Sequence, residues 1–401
     1  MTQRMRQGAV AAAALLLGTM AACSAPGRPA VPHGPPGHGA AFPSGAAGSG
    51  PQRGFTLVAS GDVLPHDSVI AWGQEASDDG DGYDFRPMLA GVKPVVSGAG
   101  LAICHMETVY GEEDGPFSGY PAFVSPPQIA AGLRATGYDS CSTASNHTLD
   151  DGADGVRRTL DAFDRAGLKH TGSARSAAEA RRPALLTASG GARVAQLAYT
   201  FGTNDQPFPE GQPWAVNLID ERRIVADARA ARAAGADIVV VSVHWGTEWQ
   251  TEPDDDQLGL GRKLTASRTG GRPDIDLILG THAHVPQAYE KVNGTWIIYG
   301  MGDQIAGTMA NDDGDQDGRG NQGSIGRFTF APPAAPGQRW RVEKAEFVPQ
   351  LMDLTSGRVV SLPRALRDDP ERDDYREARS SITEAVLSRG AAADGLTEGD
   401  G

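Results

Sequence analysis

The sequence is poor in basic and in aromatic residues, and the shortage of basic residues argues against one class of binding partner. Against 50 Asp and Glu stand only 36 Lys and Arg, which gives a formal net charge of −14. A nucleic-acid-binding protein usually carries a basic surface, so we expect no nucleic-acid partner. Aromatic residues make up 6% of the chain, whereas Gly (52) and Pro (27) are numerous, which predicts long loops. The 40% of hydrophobic residues still suffices for one large core.

Cysteine is nearly absent, and the three present are Cys23, Cys104 and Cys141. The last two fall inside apolar runs that predict core strands. Free cysteines are often buried in this way, so we favour two unpaired thiols there. A disulfide between them is the alternative in an exported protein.

The first 23 residues predict an export signal. Arg4 and Arg6 precede a short apolar stretch, Val10 to Leu17, which is too short to span a bilayer. Small residues then lead to Cys23, an order that resembles a bacterial lipoprotein processing site. We expect a lipid on Cys23 to hold the protein in the membrane, at the extracellular face of the cell. Secretion after cleavage nearby is the alternative.

Composition divides the rest of the chain into a tether, a domain and a tail. Residues 24–53 are mostly Pro, Gly, Ala and Ser, which predicts a flexible tether. Residues 54–361 alternate apolar runs with amphipathic helical patterns, which indicates one layered α/β domain. Residues 362–401 predict a polar, peripheral helix over 373–388, followed by a disordered end.

Polar side chains follow the predicted strands, at the edge where loops converge on a ligand in α/β folds. The strand-like runs begin at Phe55, Leu101, Tyr138, Val194, Ile238 and Leu277, and a hairpin is expected over 287–299. Helical patterns cover 153–166, 219–234 and 257–266. The polar segments are Gly61-Asp62 with His66, His105-Met106-Glu107, Asn146-His147 with Asp150, His244, and His282-Ala283-His284. Six of the nine histidines of the chain lie in these segments.

Carboxylate, amide and imidazole donors together suit divalent Mn, Fe or Zn. Each residue alone has a structural explanation: Asp62 could cap a helix, Asn146 could occupy a turn, and His244 could be a core histidine. His282 and His284, however, alternate on one extended segment and therefore point the same way. The combined set predicts a hydrolase-type site with one or two metal ions, and two ions about 3.5–4 Å apart would clamp a reacting group.

The order of these segments resembles the calcineurin-like metallophosphoesterase superfamily. It is most similar to the bacterial capsule-synthesis branch, the CapA-like poly-γ-glutamate family. The resemblance covers about residues 55–308 and is carried by Gly-Asp at 61–62, Asn-His-Thr-Leu-Asp at 146–150, His-Trp-Gly at 244–246 and Gly-Thr-His-Ala-His-Val-Pro-Gln at 280–287. It implies a four-layer α-β-β-α sandwich of metallophosphatase type.

The resemblance also implies a division of the metal ligands. Asp62 and His284 would hold a first metal ion. A second would be held by Asn146, His244 and His282. Glu107 stands where the superfamily has a bridging Asp.

His147 would act as the general acid that protonates the leaving group, with Asp150 to orient it. Two departures from the superfamily pattern bear on the activity. The histidine expected two residues after the first Asp is Leu64 here, and His66 could substitute for it. The bridging position holds Glu107 instead of Asp.

The implied function is that of a cell-surface, metal-dependent hydrolase-type protein. It would act in the synthesis, export or anchoring of an anionic capsule polymer such as poly-γ-glutamate. An exported phosphoesterase acting on a phosphate ester is one alternative. A non-enzymatic, polymer-binding accessory lipoprotein is the other.

Overall fold

A computed structural model describes residues 53–78, 82–311, 313–335 and 338–401. The predicted export signal, Cys23 and nearly all of the tether therefore lie outside the described residues. Within the described ranges, no helix is both long enough and apolar enough to cross a membrane.

The strands, in chain order, are β1 (Phe55–Leu64), β2 (Leu101–Met106), β3 (Val109–Tyr110), β4 (Val124–Ser125), β5 (Ser140–Ser142), β6 (Lys169–Thr171), β7 (Ala184–Thr187), β8 (Arg193–Thr200), β9 (Ile238–His244), β10 (Arg268–Thr269), β11 (Arg272–Pro273), β12 (Leu277–Thr281), β13 (Tyr289–Val292), β14 (Thr295–Ile298), β15 (Asp303–Ala306), β16 (Gln322–Ala331), β17 (Arg341–Asp353), β18 (Arg358–Ser361) and β19 (Leu396–Glu398). The α-helices are α1 (Asp67–Glu75), α2 (Lys93–Ser97), α3 (Gln128–Thr136), α4 (Gly152–Ala166), α5 (Ala177–Ala180), α6 (Glu221–Ala233), α7 (Asp255–Ala266), α8 (Leu362–Asp368) and α9 (Asp373–Leu387). Short 3₁₀ helices cover Gly318–Asn321 and Ala391–Asp394.

Two large sheets form the centre of the domain. The larger has the order β18-β17-β16-β1-β2-β5-β6, with β15 also paired to β1 and β19 to β17. The second has the order β13-β14-β12-β9-β8-β7. Within them β1, β2, β5 and β6 run parallel, as do β8, β9, β12 and β14. Each parallel set therefore brings its carboxyl ends to one edge of its sheet.

Helices cover the outer faces of both sheets, which pack on each other through their inner faces. Leu57 of β1 and Leu279 of β12 belong to the apolar cluster between the sheets. Val58 faces the opposite way and packs with the cluster that includes helices α1 to α4. Val241 of β9 faces α6 and α7 on the far side. These layers make the α-β-β-α sandwich, and the predicted fold is confirmed.

The strongest sequence patterns coincide with well-formed elements. All seven residues of β9 are buried, as expected for a strand with layers on both faces. Helix α4 buries Val156, Leu160 and Phe163, which recur every three or four residues. It ends at Gly167, whose φ of 76° suits glycine at a helix terminus. The expected hairpin is formed by β13 and β14.

The carboxyl-terminal segment is ordered, so the prediction of a disordered end is wrong. Strand β19 pairs in parallel with β17, and Leu396 is buried. Helix α9 packs Tyr375, Ile382 and Val386 into the cluster that lies between the sheets. Burial of each such side chain is worth roughly 1.5–3 kcal/mol. Residues 362–401 therefore belong to the domain and do not form a peripheral tail.

Cys104 and Cys141 form a disulfide, whereas the sequence favoured two free thiols. The two residues face each other on the adjacent parallel strands β2 and β5, with their Cα atoms 4.4 Å apart. This separation lies within the range that a disulfide can bridge. Strand register decides the pairing, and register between segments 37 residues apart cannot be read from the cysteine positions alone.

Candidate metal centre

Strand ends from both sheets bring the predicted polar side chains to one place. The residues are Asp62 on β1, His105 and Glu107 at the end of β2, Asn146 and His147 after β5, His244 at the end of β9, and His282 and His284 after β12. Each of them is at most 6% exposed. The structure therefore gathers every predicted metal ligand into one buried cluster.

Asp62 lies in the middle of this cluster. Its Oδ2 accepts a hydrogen bond of 3.0 Å from the backbone N–H of His282. Its Oδ1 lies 3.5 Å from Nε2 of His105 and 3.9 Å from Nδ1 of His244. A Cβ atom at the preceding Gly61 would overlap the carbonyl oxygen of Gly302. Only glycine permits this close approach of the two backbones that position Asp62.

Glu107, Asn146, His244 and His282 form the adjoining part of the cluster. Nε2 of His244 lies 2.8 Å from Oδ1 of Asn146 and 3.6 Å from Oε1 of Glu107. The ring centroids of His244 and His282 are 4.7 Å apart. One donor atom each from Glu107, His244 and His282 lie within 4.8 Å of one another. The grouping matches the second ligand set expected from the sequence, with Glu107 beside it.

Asp303 also belongs to the centre, although it was not among the residues expected from the sequence. Its Oδ1 lies 3.0 Å from Nδ1 of His284. Donor atoms of Asp62, His284 and Asp303 form one close group, and those of Glu248, His282 and His284 form another. A signal was present in the sequence, because Gly302-Asp303 repeats the Gly-Asp dipeptide at 61–62 and, like it, comes shortly after an apolar run.

His66 lies outside the groups of side chains that could bind a metal ion. Among the described residues, no close group of potential metal-binding side chains includes it. Its Nδ1 lies 3.1 Å from the backbone nitrogen of Gly307 and 3.0 Å from the carbonyl oxygen of Leu64. Burial lowers the pKa of His66 to about 4. The geometry thus gives no support to His66 as a substitute for the histidine missing at Leu64.

His147 and Asp150 form a pair at the border of the cluster. Nδ1 of His147 lies 2.6 Å from Oδ2 of Asp150. That oxygen also accepts a hydrogen bond of 2.8 Å from the backbone N–H of Phe123, and the edge of the Phe123 ring packs against the imidazole. Because Nδ1 is held, Nε2 is the ring atom left for a substrate, and it lies 3.5 Å from Nδ2 of Asn204.

Burial makes the carboxyl groups of the centre difficult to ionise. Burial, followed by the nearby Asp303, raises the pKa of Asp62 to about 8. Burial and the charge of Asp62 raise the pKa of Glu107 well above its ordinary value. Burial raises the pKa of Asp303 itself to about 6. A cation placed among these groups would reverse the trend, since it favours the ionised carboxylates.

The histidines of the centre divide into two kinds. Burial lowers the pKa of His105 to about 3 and lowers the pKa values of His244 and His282 well below the ordinary value. These three imidazoles are therefore neutral, the form that binds metal ions. Burial also acts to lower the pKa of His284, but the carboxylates of Asp303 and Glu107 outweigh it and raise that pKa well above its ordinary value.

Several buried polar atoms of the centre have no hydrogen-bond partner among the described residues. They are Oδ1 of Asp62, Nε2 of His105, both carboxylate oxygens of Glu107, Nδ1 of His282 and Oδ2 of Asp303. Each unsatisfied buried atom costs about 1–3 kcal/mol, so their concentration in one spot indicates a ligand. Oxygen and imidazole donors without a thiolate suit divalent Mn, Fe or Zn. The residues present therefore fit divalent metal ions.

Exposed aromatic side chains flank the centre. The ring centroid of Phe201, which is 49% exposed, lies 4.5 Å from that of His282. Tyr120 is 77% exposed and contacts Phe123, the ring that packs on His147. Trp245, in contrast, is buried and donates its indole N–H to the carbonyl of Tyr299. Of the aromatics near the centre, Phe201 and Tyr120 are thus available to a substrate, and Trp245 belongs to the core.

Comparison with known sequences points to one family. The family described as bacterial capsule synthesis protein PGA_cap matches residues 56–308. The PGA biosynthesis protein CapA of Bacillus subtilis is 28% identical over 173 residues, which cover 43% of this chain and 44% of that protein. A probable polyglutamine synthesis accessory protein of Mycobacterium tuberculosis is 31% identical over 194 residues, covering 45% of this chain and 48% of that protein. The chain thus spans less than half the length of these curated relatives.

Solved structures give matches at lower identity. The calcineurin-like phosphoesterase YfkN of Bacillus subtilis matches 82% of this chain and 100% of that chain, with 14% identity and a TM-score of 0.39. A putative 5′-nucleotidase of Staphylococcus aureus matches 82% of this chain and 58% of that chain, with 14% identity and a TM-score of 0.44. Similarity at this level concerns the fold alone.

Proposed function

Since this chain belongs to the bacterial capsule synthesis protein PGA_cap family, we propose that it is a metal-dependent hydrolase-type protein that acts on an anionic capsule polymer. A polymer such as poly-γ-glutamate fits the names of the relatives, which concern PGA and polyglutamine synthesis. The action would serve synthesis, export or anchoring of the polymer. One observation carries the proposal: buried donor atoms that have no hydrogen-bond partner in the described part of the chain lie beside the pair His147–Asp150.

The ligand sets follow the two parts of the cluster. Asp62 and His284 would hold one ion, and Asn146, His244 and His282 a second, with Glu107 between them. Divalent ions bound there would polarise an oxygen of the substrate and supply a nucleophile from water at neutral pH.

The proton for the leaving group would come from His147. Its Nδ1 is held by Asp150, so Nε2 is the atom that delivers the proton to a departing amine or alcohol. A positioned general acid contributes roughly 10²–10⁴-fold to a rate. A protein that only binds polymer has no need of such a pair beside its metal ligands, which favours an enzyme over an accessory binding protein.

We place the protein at the extracellular face of the cell membrane, anchored through a lipid on Cys23, with secretion as the alternative. The disulfide between Cys104 and Cys141 supports export, because such bonds persist in oxidising compartments and are rare in the cytosol.

A phosphate ester is the second candidate substrate. The two adjoining donor groups around Asp62 and His244 favour it, because paired ions suit the clamping of both the attacking and the leaving oxygen of a phosphoryl group.

The test uses the purified full-length chain, stripped of metal by chelation and then supplied with Mn²⁺ or Zn²⁺. Poly-γ-glutamate would be followed by size-exclusion chromatography and p-nitrophenyl phosphate by absorbance. We expect metal-dependent shortening of the polymer that is lost in His147→Ala and retained in His66→Asn. Hydrolysis of the ester alone would favour the phosphoesterase. Polymer binding that survives chelation, without any turnover, would overturn the enzymatic proposal.

A further inference from the structure

We propose that His105 is a metal ligand beside Asp62 and takes the place of the imidazole that Leu64 cannot supply. The histidine thus comes from the neighbouring strand β2 instead of from the end of β1. The inference rests on the metal centre of the proposed function, and it adds to that centre a residue outside the ligand set expected from the sequence.

The first argument is position. Asp62 and His105 are directly paired in register on the parallel strands β1 and β2. Nε2 of His105 lies 3.5 Å from Oδ1 of Asp62, and donor atoms of Asp62, His105 and His244 lie within 4.8 Å of one another. Metal–nitrogen and metal–oxygen distances are roughly 2.0–2.2 Å each in zinc sites. One ion can therefore contact both atoms across that gap.

The second argument is the way in which the imidazole is held. Nδ1 of His105 lies 2.7 Å from Oγ of Ser142, on the adjacent strand β5. Nδ1 is held in the same way in two of the expected ligands. Nδ1 of His244 lies 3.0 Å from Oγ1 of Thr281. Nδ1 of His284 lies 3.0 Å from Oδ1 of Asp303. In each case an outer partner fixes one ring nitrogen, and Nε2 is left for the centre, as is usual for metal-binding histidines.

The third argument is the absence of a structural role for the free nitrogen. The side chain of His105 is 2% exposed, and its Nε2 has no hydrogen-bond partner among the described residues. Its distance of 3.5 Å to Asp62 exceeds that of a good hydrogen bond. A histidine that served only to fill the core would have both nitrogens satisfied, because an unpaired one is costly. His66 differs, since among the described residues it belongs to no close group of side chains that could bind a metal ion.

Ser142 is then a positioning residue for His105. The disulfide between Cys104 and Cys141 joins the strand positions directly before this pair, so β2 and β5 are held in the register that brings Ser142 to His105. Removal of the Ser142 hydroxyl would free the ring to rotate, and loss of such an outer partner typically weakens metal binding about 10–100-fold.

The experiment measures metal affinity and stoichiometry, independently of turnover. Full-length wild type, His105→Asn, Ser142→Ala and His66→Asn would be stripped of metal and titrated with Mn²⁺ and Zn²⁺ by calorimetry, with bound metal counted by elemental analysis after dialysis. Asn retains a donor near the Nδ1 position but lacks Nε2. We expect His105→Asn to lose one ion or to bind it at least about 100-fold more weakly, Ser142→Ala to lose about 10–100-fold, and His66→Asn to match wild type.

The outcomes separate this inference from the proposed function. Wild type that binds no metal would overturn both. Wild type that binds metal, together with His105→Asn or Ser142→Ala of unchanged affinity, would overturn the role of His105 and leave the metal centre in place. If His105→Asn fails to unfold cooperatively, the milder variant Ser142→Ala provides the test. An unchanged metal affinity of Ser142→Ala would contradict the role of His105 without contradicting the proposed function.

Discussion

Asp62 and Asp303 lie side by side in register on the parallel strands β1 and β15, each directly after a glycine. Both carboxyl groups belong to one close donor group with His284. Within it, Oδ2 of Asp62 accepts a hydrogen bond from the backbone N–H of His282, whereas Oδ1 of Asp303 lies 3.0 Å from Nδ1 of His284. Asp303 therefore orients one of the ligands expected to share an ion with Asp62.

Replacing Asp303 by Asn tests this division of roles. Asn keeps the size of the side chain but removes the negative charge that makes His284 a stronger ligand. We expect Asp303→Asn to weaken metal binding by about 10–100-fold, the usual cost of losing an outer partner of a metal-binding histidine. Calorimetric titration would measure the change. Asp150→Asn is the matched control, because Asp150 holds His147 and, among the described residues, makes no hydrogen bond to an expected metal ligand. The loss of metal affinity in Asp303→Asn must therefore exceed that in Asp150→Asn.

The stability of the metal-free protein should depend on pH in a defined window. The pKa of Asp62 is raised to about 8, and those of Glu107 and His284 are raised well above their ordinary values. Each group therefore holds its proton more tightly in the folded than in the unfolded chain. Above pH 6.5 the unfolded chain has released these protons, so folding stability falls as the pH rises toward 8. His105, whose pKa burial lowers to about 3, is neutral in the folded chain but still partly protonated in the unfolded chain at pH 6.5, so its opposing contribution to the slope fades as the pH rises toward 8.

The measurement is the melting temperature Tm between pH 6.5 and pH 8, with a chelator and with Mn²⁺. We expect Tm to fall with pH in the chelated protein. The fall should disappear when Mn²⁺ is present, because the metal takes the place of the protons. Asp62→Asn should show a smaller fall in chelator, since it lacks one of the responsible groups. An equal slope in that variant would show that Asp62 is not among them.

The sequence predicted the layers and most of the centre because both depend on local patterns. The continuous apolar run of β9 indicates a strand that is buried on both faces. The spacing of apolar residues in α4 indicates a helix that is buried on one face. Asn146, His244 and His282 follow strands, and the carboxyl ends of parallel strands meet at one edge. No knowledge of register is needed to expect such residues to converge.

The parts that the sequence missed depend on register or on long-range packing. The resemblance assigned a role to Glu107 and none to His105. Which side chain of β2 faces Asp62 is decided by the pairing of β1 with β2. The disulfide at Cys104 depends on the pairing of β2 with β5 in the same way. Strand β19 adds only three residues to the edge of a sheet, and a segment of that length around Leu396 has no periodicity of its own.

His147 should matter most for substrates with poor leaving groups. Its replacement by Ala removes the proton donor, so we expect turnover of an alkyl ester or an amide to fall by about 10²–10⁴-fold. A p-nitrophenyl ester, whose leaving group needs no proton, should be affected far less. Steady-state rates on the two kinds of substrate, with metal content measured in parallel, would test this role. Equal losses on both substrates at unchanged metal content would contradict the assignment of His147 as the general acid.

The disulfide should stabilise both the fold and the centre. It closes a loop across a separation of 37 residues between β2 and β5, and a loop of this size contributes roughly 3–4 kcal/mol through the restricted unfolded chain. We expect a reductant to lower the free energy of unfolding of wild type by that amount in guanidinium titrations, and the double variant Cys104→Ala, Cys141→Ala to resist further change.

The centre should respond as well, because β2 carries His105 and leads to Glu107, while β5 leads to Asn146. When the bond is absent, β2 and β5 are held by their short ladder and by the contact of His105 with Ser142, so metal affinity should fall together with stability. Alkylation of the denatured, unreduced protein followed by mass spectrometry checks the premise. If the peptides with Cys104 and Cys141 both carry the label, the bond is not formed. If the bond is present and its reduction leaves metal affinity unchanged, β2 and β5 keep their spacing without it and the disulfide serves stability alone.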